Sequence, residues 1–395
     1  SGAHADQLRR AMGAKRSPER MEALKGDLMA GMKERGIDAP TRERIFDQLK
    51  GFADFGFPES HSFSFAHIVY ASSWLKVHAP EHFYAAILAS QPMGFYSPAT
   101  LVQDARRHGV RVVGPSVNDS LVDASVQRVS EDESGESYSP GRPESLPSRG
   151  TVPLDVDNDL AVRIGLNQVR GLGAAAERIV EARHQGAFTS QADLARRAHV
   201  SASAMEKLAM AGALECLGVG RREGAWAAGA LAQPQARGGH WQPFLPGTEV
   251  GSRVPDLPSL SEAERMQSDV AATGLTPGEH PFSYVRESLP ASALRAGELG
   301  QHLAGCIVDV AGVVTHRQRP HTGGGITFLS LEDETGFVNV SVSVGAWKKF
   351  RRVCLESNAL LVRGTLEWGD GAINVQAFRI APVDLPINVR SRDFR

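Results

Sequence analysis

The chain has 395 residues, 42% hydrophobic and 22% charged, with 43 Lys and Arg against 45 Asp and Glu. That composition is an ordinary soluble globular one, enough for two to four domains, and its net charge of −2 gives no global signal for a polyanionic partner. Three widely spaced cysteines, Cys216, Cys306 and Cys354, exclude a disulfide framework and a zinc knuckle and fit a reducing cytoplasm. No run approaches the ~18 apolar residues of a membrane span, and the N-terminus SGAHADQLRRAMG has no signal-peptide core. It also lacks an initiator Met and starts as if in mid-domain, so a longer natural polypeptide is expected.

Residues 4–110 read as mostly helix. SPERMEALKGDLMAGMKERG spaces Met21, Leu24, Leu28 and Met32 along one helical face, with Ser17 as cap, Pro18 in the first turn and Gly36 past the end. TRERIFDQLKGFADFGF predicts a second helix capped by Thr41. SFSFAHIVYASSWLKVH predicts a third, buried on most of its faces, and another starts at Pro80. Residues 1–50 carry 11 Lys and Arg against 8 Asp and Glu, while SEDESGES (130–137) is purely acidic. Segment 128–150, rich in Ser, Glu, Gly and Pro, predicts a long or disordered loop. Short helices resume over 160–217, and 233–260 is a Pro/Gly linker.

The period changes after 303. VNVSVSV (338–344) alternates apolar and polar residues, the mark of a half-buried strand. Strands are predicted near 304–315, 325–332, 337–344, 359–368 and 372–380. EDETG and GDG (369–371) supply turns, and GAWKKFRRVCLE (345–356) is a helix between strands three and four. Three strands, a helix and two strands is the order of an oligonucleotide-binding (OB) barrel. Its first loop, THRQRPHTGGG (315–325), carries Arg317, Arg319, His316 and His321. Phe328, in the next strand, is either a core residue or a platform for stacking bases.

QVRGLGAAAERIV (168–180) admits two sites. A dinucleotide turn over Gly171–Ala176 needs a second strand ending in an acid, and Asp193 stands at the right distance. The stretch reaching it, QGAFTSQADLARR, reads instead as helix. Together with HVSASAMEKLAMAGALECLG it fits two consecutive helix-hairpin-helix units better, though a plain helical turn stays open. In that reading Gly171 and Gly173 bring backbone N–H groups close to a phosphate without regard to sequence. Arg170 and Arg178 join them as candidate DNA-binding residues. The second unit, read as having no Gly-x-Gly, is expected to pack and brace rather than bind. HAPEH (78–82) matches a zinc-peptidase pattern, but Pro80 interrupts the helix it needs. LRRAMGAKR (8–16) is a candidate phosphate clamp or a solvated helix face. QPFLPG (242–247), linker by composition, is a weak candidate for a sliding-clamp peptide through Gln242–Leu245.

Four stretches together resemble bacterial family C DNA polymerases. ADQLRRAMGAKRSPERM, FADFGFPESHSFSFAHIVYASSWLKVHAPEHFYAAIL and QPMGFYSPATLVQDARRHGV look like the fingers region, the last in the form typical of the error-prone, damage-induced alpha-type subunit. THRQRPHTGGGITFLSLEDETGFVNV and SRDFR look like its OB domain. The resemblance implies a mixed multidomain fold. It comprises partial fingers over 1–127, the acidic loop over 128–159, tandem helix-hairpin-helix over 160–232 and the linker over 233–260. A connecting helical segment follows over 261–302, then the all-β barrel over 303–383 and a tail over 384–395.

It also implies translesion synthesis after DNA damage by the intact enzyme. Arg9, Arg10, Lys15 and Arg16 would face the triphosphate of an incoming nucleotide, with Ser60 and His61 at the start of the helix lining that side. His4 departs from the acidic residue usual there. The hairpins would hold duplex and the barrel single-stranded template. The palm carboxylates and their Mg would lie on a part this chain does not contain, so the chain alone is expected to be inactive and to hold no cofactor. A sliding clamp and accessory proteins of a mutagenic assembly would be partners. A non-enzymatic nucleic-acid-binding module is the alternative.

Overall fold

The computed structural model describes residues 7–8, 17–54, 59–94, 96–128, 153–231, 255–320, 324–369, 372–387 and 391–394. The chain divides into two compact units, Ser1–Ser73 with Gln318–Thr327 and Phe394–Arg395, and Trp74–Arg317 with Phe328–Asp393. The acidic segment 130–137 and QPFLPG lie outside the described residues.

In the first unit α1 (Ser17–Glu34) packs on α2 (Ala39–Asp54) around Met21 and Phe46, with Leu24, Leu28 and Leu49 at the edges. Gly36 takes the left-handed conformation (φ 76°) that closes α1. The cap of α2 is Asp38 rather than Thr41. Pro40 sits in the first turn, and the Thr41 N–H donates to Asp38 Oδ2 at 3.2 Å. The helix α3 (Glu59–His78) also departs from expectation: residues 60–71 are all exposed, and Phe63 is 76% accessible. Its apolar residues point to every side, the pattern of a helix covered all round, but no described element covers them.

The second unit begins with α4 (Pro80–Ala89) and α5 (Pro98–Arg107). Ser97 caps α5 by accepting the Thr100 N–H. Both helices pack on a small sheet of β1 (Arg111–Val113), β2 (Ser125–Arg128) and β3 (Leu160–Arg163), in which β3 is central, parallel to β1 and antiparallel to β2. Alternation cannot be recognised over three or four residues, which is why the sequence reading places no strand at 111–113 or 125–128 and takes 160–163 into a run of short helices.

A helical body follows: α6 (Ala175–Arg183), α7 (Gln191–Ala198), α8 (Ala202–Met210), α9 (Arg221–Leu231) and α10 (Glu262–Thr273). Ile179, Leu194, Met205, Leu208 and Leu214 fill its core, which also takes in Val117. Arg183 donates to the carbonyls of Val117 and Ser120, so this body recruits chain from well before residue 160.

The barrel comprises β5 (Ile307–Gln318), β6 (Thr327–Glu332), β7 (Phe337–Val342), β8 (Ala359–Gly369) and β9 (Ala372–Val383). Neighbours run β5-β6-β7-β9-β8, and β8 pairs antiparallel with β5 to close the circuit. Two short strands, β4 (Ala293–Leu294) and β10 (Arg392–Phe394), add to β5. The helix α11 (Val344–Glu356) bridges β7 to β8 and buries Trp347 and Cys354 in the barrel core. The predicted strand order and the placement of the helix both hold.

Candidate nucleic-acid interface

The turn of the first hairpin is built to expose backbone donors. A 3-10 turn over Leu166–Gln168 leads into it, and Leu172 plugs the core while Gly171 and Gly173 face solvent with φ of 72° and 51°. The N–H groups of Leu172, Ala175 and Ala176 bond to local carbonyls. Those of Gly171, Gly173 and Ala174 have no acceptor among the described residues. Three unengaged donors at the mouth of α6, on the positive end of its dipole, form a cup for an anion.

Cations flank the cup unequally. Lys207 of α8 has its ammonium beside Gly171, where an added Cβ would stand 2.5 Å from Nζ. It has no ion-pair partner among the described residues. Arg170 is exposed but anchored: its N–H donates to Ala272 O at 2.8 Å and its Nη1 to Ala271 O at 3.1 Å, on α10. Arg178 is also exposed, and its Nε donates to Ala198 O at the end of α7. Both arginines therefore hold neighbouring helices to the hairpin. Sequence reasoning missed Lys207, which is 36 positions from Gly171 and is brought there only because α8 shares the hydrophobic core of the helical body.

The second hairpin does contain a Gly-x-Gly, at Gly218-Val219-Gly220, which corrects the expectation that it has none. Its chemistry differs. The Gly220 N–H donates to Glu223 Oε2 at 3.1 Å, and Glu215 stands nearby, paired with Arg221 Nε at 2.9 Å. Two carboxylates at this turn repel a phosphate, while Arg221 reaches Asp269 at 2.6 Å and ties α9 to α10. Burial pushes the Asp269 carboxyl up to about 6 against the pull of Arg221.

In the barrel, Arg317 is placed inside and not on the first loop, which corrects the expectation that it contacts a nucleic acid. Only 8% exposed, its Nε donates to Cys354 O at 2.6 Å and its Nη2 to Ser357 O at 2.8 Å. Its Nη1 pairs with Ser391 and Asp393. The alternation of β5 turns it inward, and its donors satisfy carbonyls at the end of α11. Arg319 is exposed, while His321 lies outside the described residues. Phe328 is 40% exposed on β6 between buried Thr327 and Leu329, so it faces outward from the core.

Ser60 and His61 lie exposed at the start of α3, the His61 ring edge-on to Phe65 at 4.6 Å. Arg9, Arg10, Lys15, Arg16 and His4 lie outside the described residues. Asp193 does not end a strand. It sits in the first turn of α7, capped by Ser190 and paired with Arg196 and Arg197, an arrangement that leaves no dinucleotide site. Pro80 separates α3 from α4 and splits HAPEH, and His78 Nδ1 pairs with Asp155 at 2.7 Å. No group of three or more His, Cys, Asp or Glu among the described residues is arranged to hold a metal ion. No described helix is long and apolar enough to cross a membrane.

An exposed cup of backbone donors on a double hairpin, joined in one chain to a closed five-stranded barrel, defines a nucleic-acid-binding protein. Residues 109–224 match the helix-hairpin-helix motif family, and residues 308–383 match the OB-fold nucleic acid binding domain family. The whole chain aligns with error-prone DNA polymerases. It is 46% identical to those of Mycobacterium bovis and Mycobacterium tuberculosis (strain ATCC 25618 / H37Rv) over 399 aligned positions, and 44% identical to that of Nocardia farcinica over 407. Along its whole length the chain is similar to error-prone DNA polymerases, and it spans about a third of the length of the curated relatives it matches (33%, 33% and 32%).

Proposed function

We propose that this chain is the DNA-handling portion of an error-prone, DNA-directed DNA polymerase. The observation that carries the reading is the cup at Gly171–Ala174: three unengaged N–H groups, a helix N-terminus and the Lys207 ammonium converge on one solvent-facing point. Such a point takes a backbone phosphate of duplex DNA of any sequence. The outward side of the barrel, with Phe328, takes single-stranded template by stacking.

In the intact polymerase, nucleotidyl transfer with its Mg is carried out by residues elsewhere, and this portion holds primer–template in register. Arg9, Arg10, Lys15 and Arg16 face the triphosphate, with Ser60 and His61 on the same side of the nucleotide. Action in the cytoplasm during damage-induced mutagenesis, on a sliding clamp and with accessory proteins, completes the proposal. It is supported by resemblance to the named relatives.

The test is fluorescence anisotropy of the chain with labelled primer–template across a salt series, comparing wild type with Gly171→Val/Gly173→Val. Tight, steeply salt-dependent binding that the double variant loses is the expected result, because each phosphate contact releases counterions. Equal binding by both proteins would remove the hairpin from the DNA path. A chain that binds no DNA at all would contradict the whole reading.

A further inference from the structure

We infer that the side of the barrel built by α11, β8 and β9 is a second path for single-stranded nucleic acid, separate from the β6 surface that carries Phe328. The inference rests on the proposed DNA-handling role and adds a site to it.

The face is an open groove of about 580 Å³ lined by Lys349, Phe350, Arg363, Phe378 and Arg379. Its shape follows from a register defect. Arg363 of β8 stands opposite Arg379 of β9, but the next residue, Gly364, stands opposite Ala377. Phe378 is therefore the extra residue of a β-bulge. A bulge re-aims side chains, and here Phe378 and Arg379, adjacent in sequence, are both exposed where strict alternation would bury one. Phe378 presents its ring with 48% of its surface accessible. Gly364 is what the defect requires, since a Cβ there would meet Gln376 O at 2.5 Å.

Two of the three cations that line this face have no counter-charge among the described residues. Lys349 and Arg379 have no ion-pair or hydrogen-bond partner among the described residues, and Lys349 instead lies over the Phe350 ring, 5.2 Å from its centroid. Arg363 has only a loose pairing with Asp309 at 3.6 Å. An exposed aromatic ring among cations spaced along an open groove is how a single strand is held without sequence preference: phosphates on the cations, a base on the ring. A duplex cannot lay an unstacked base on Phe378, so the face discriminates between the two forms.

The test uses the full chain with labelled oligothymidylate and, separately, labelled primer–template duplex, each across a salt series. The variants are Lys349→Glu/Arg379→Glu and Phe378→Ala, all at exposed positions. The charge-reversal variant is expected to bind oligothymidylate at least about tenfold more weakly, with a log K against log salt slope shallower by about 1.4, for two phosphate contacts on a single strand. Phe378→Ala is expected to lose about fivefold or more for one lost stacking contact. Duplex affinity stays within twofold or so in both. Oligothymidylate binding unchanged in both variants, with duplex binding intact, overturns this path and leaves the hairpin reading standing, the groove then being free for an acidic protein partner. Equal losses on duplex and single strand overturn it as a single-strand site. Absence of binding by wild type to either DNA overturns the inference together with the role on which it rests.

Discussion

The Lys207 ammonium fills the space that any side chain at Gly171 would need, so a residue of the second hairpin stands at the donor cup of the first. α8 thus brings a side-chain cation to a turn whose unengaged donors, among the described residues, are backbone N–H groups. Lys207→Ala is expected to weaken duplex binding and to make its log K against log salt slope shallower by about 0.9, one phosphate contact. Thermal stability should be unchanged, because the ammonium has no protein partner to lose. An unaltered salt slope in anisotropy titrations would exclude Lys207 from the contact.

Arg317 separates a stability role from a binding one. Its buried guanidinium holds the Cys354 and Ser357 carbonyls, so Arg317→Ala strands acceptors inside the barrel. The expected cost is about 2–3 kcal/mol in urea unfolding, the range for charge-assisted hydrogen bonds lost from a buried site. Below the denaturation transition, affinity for single strands should match wild type. A normal unfolding midpoint combined with weakened DNA binding would return Arg317 to the surface.

Phe328 has the opposite profile. It is exposed on β6, so Phe328→Ala should leave the unfolding midpoint within about 0.5 kcal/mol of wild type. Its single-strand affinity should fall by about 1–3 kcal/mol, the value of one base–aromatic stack. Anisotropy with labelled oligothymidylate distinguishes the outcomes, and intact affinity would assign this ring to another task.

Glu332 gives the second unit a pH dependence. Its carboxylate accepts from Arg107 at 3.0 Å and Thr100 at 3.1 Å, joining β6 to α5, yet burial pushes its pKa up to about 7. A carboxyl raised above its ordinary value of 4.5 is bound more favourably when protonated. The stability it contributes is therefore full below about pH 4.5 and is lost as pH rises to about 7. His280, buried and held down to about 3, acts in the other direction by losing stability as pH falls below 6.5. The comparison with Glu332→Gln isolates the carboxyl: wild type minus variant should shrink between pH 4.5 and 7 in urea midpoints. A pH-independent difference would mean that the carboxyl does not titrate in the fold.

Gly312 marks where β5 crosses β6 most closely, since a Cβ there would come within 2.8 Å of the Glu332 carbonyl. Backbone cannot move aside as a flexible side chain can. Gly312→Ala is expected to destabilise the barrel by about 1–3 kcal/mol, as overpacking does. An unfolding midpoint equal to wild type would show that the strands separate at no cost.

The sequence by itself determined the barrel and the first hairpin. Period-two alternation in VNVSVSV, a basic helix between strands three and four, and Gly171-Leu172-Gly173 before an alanine-rich helix are local signals, written within a few residues of where they act. Tertiary structure alone decided which charged residues are available to a ligand. Arg317 and Arg319 are two positions apart and chemically identical, but the first is buried against the end of α11 and the second is exposed. Lys207 reaches Gly171, and the bulge turns out Phe378 beside Arg379, through packing and register. Those depend on contacts distant in sequence, and no local pattern records them. The exposure of α3 belongs to the same category: its composition asks for cover, and whether a helix is covered is a property of its neighbours.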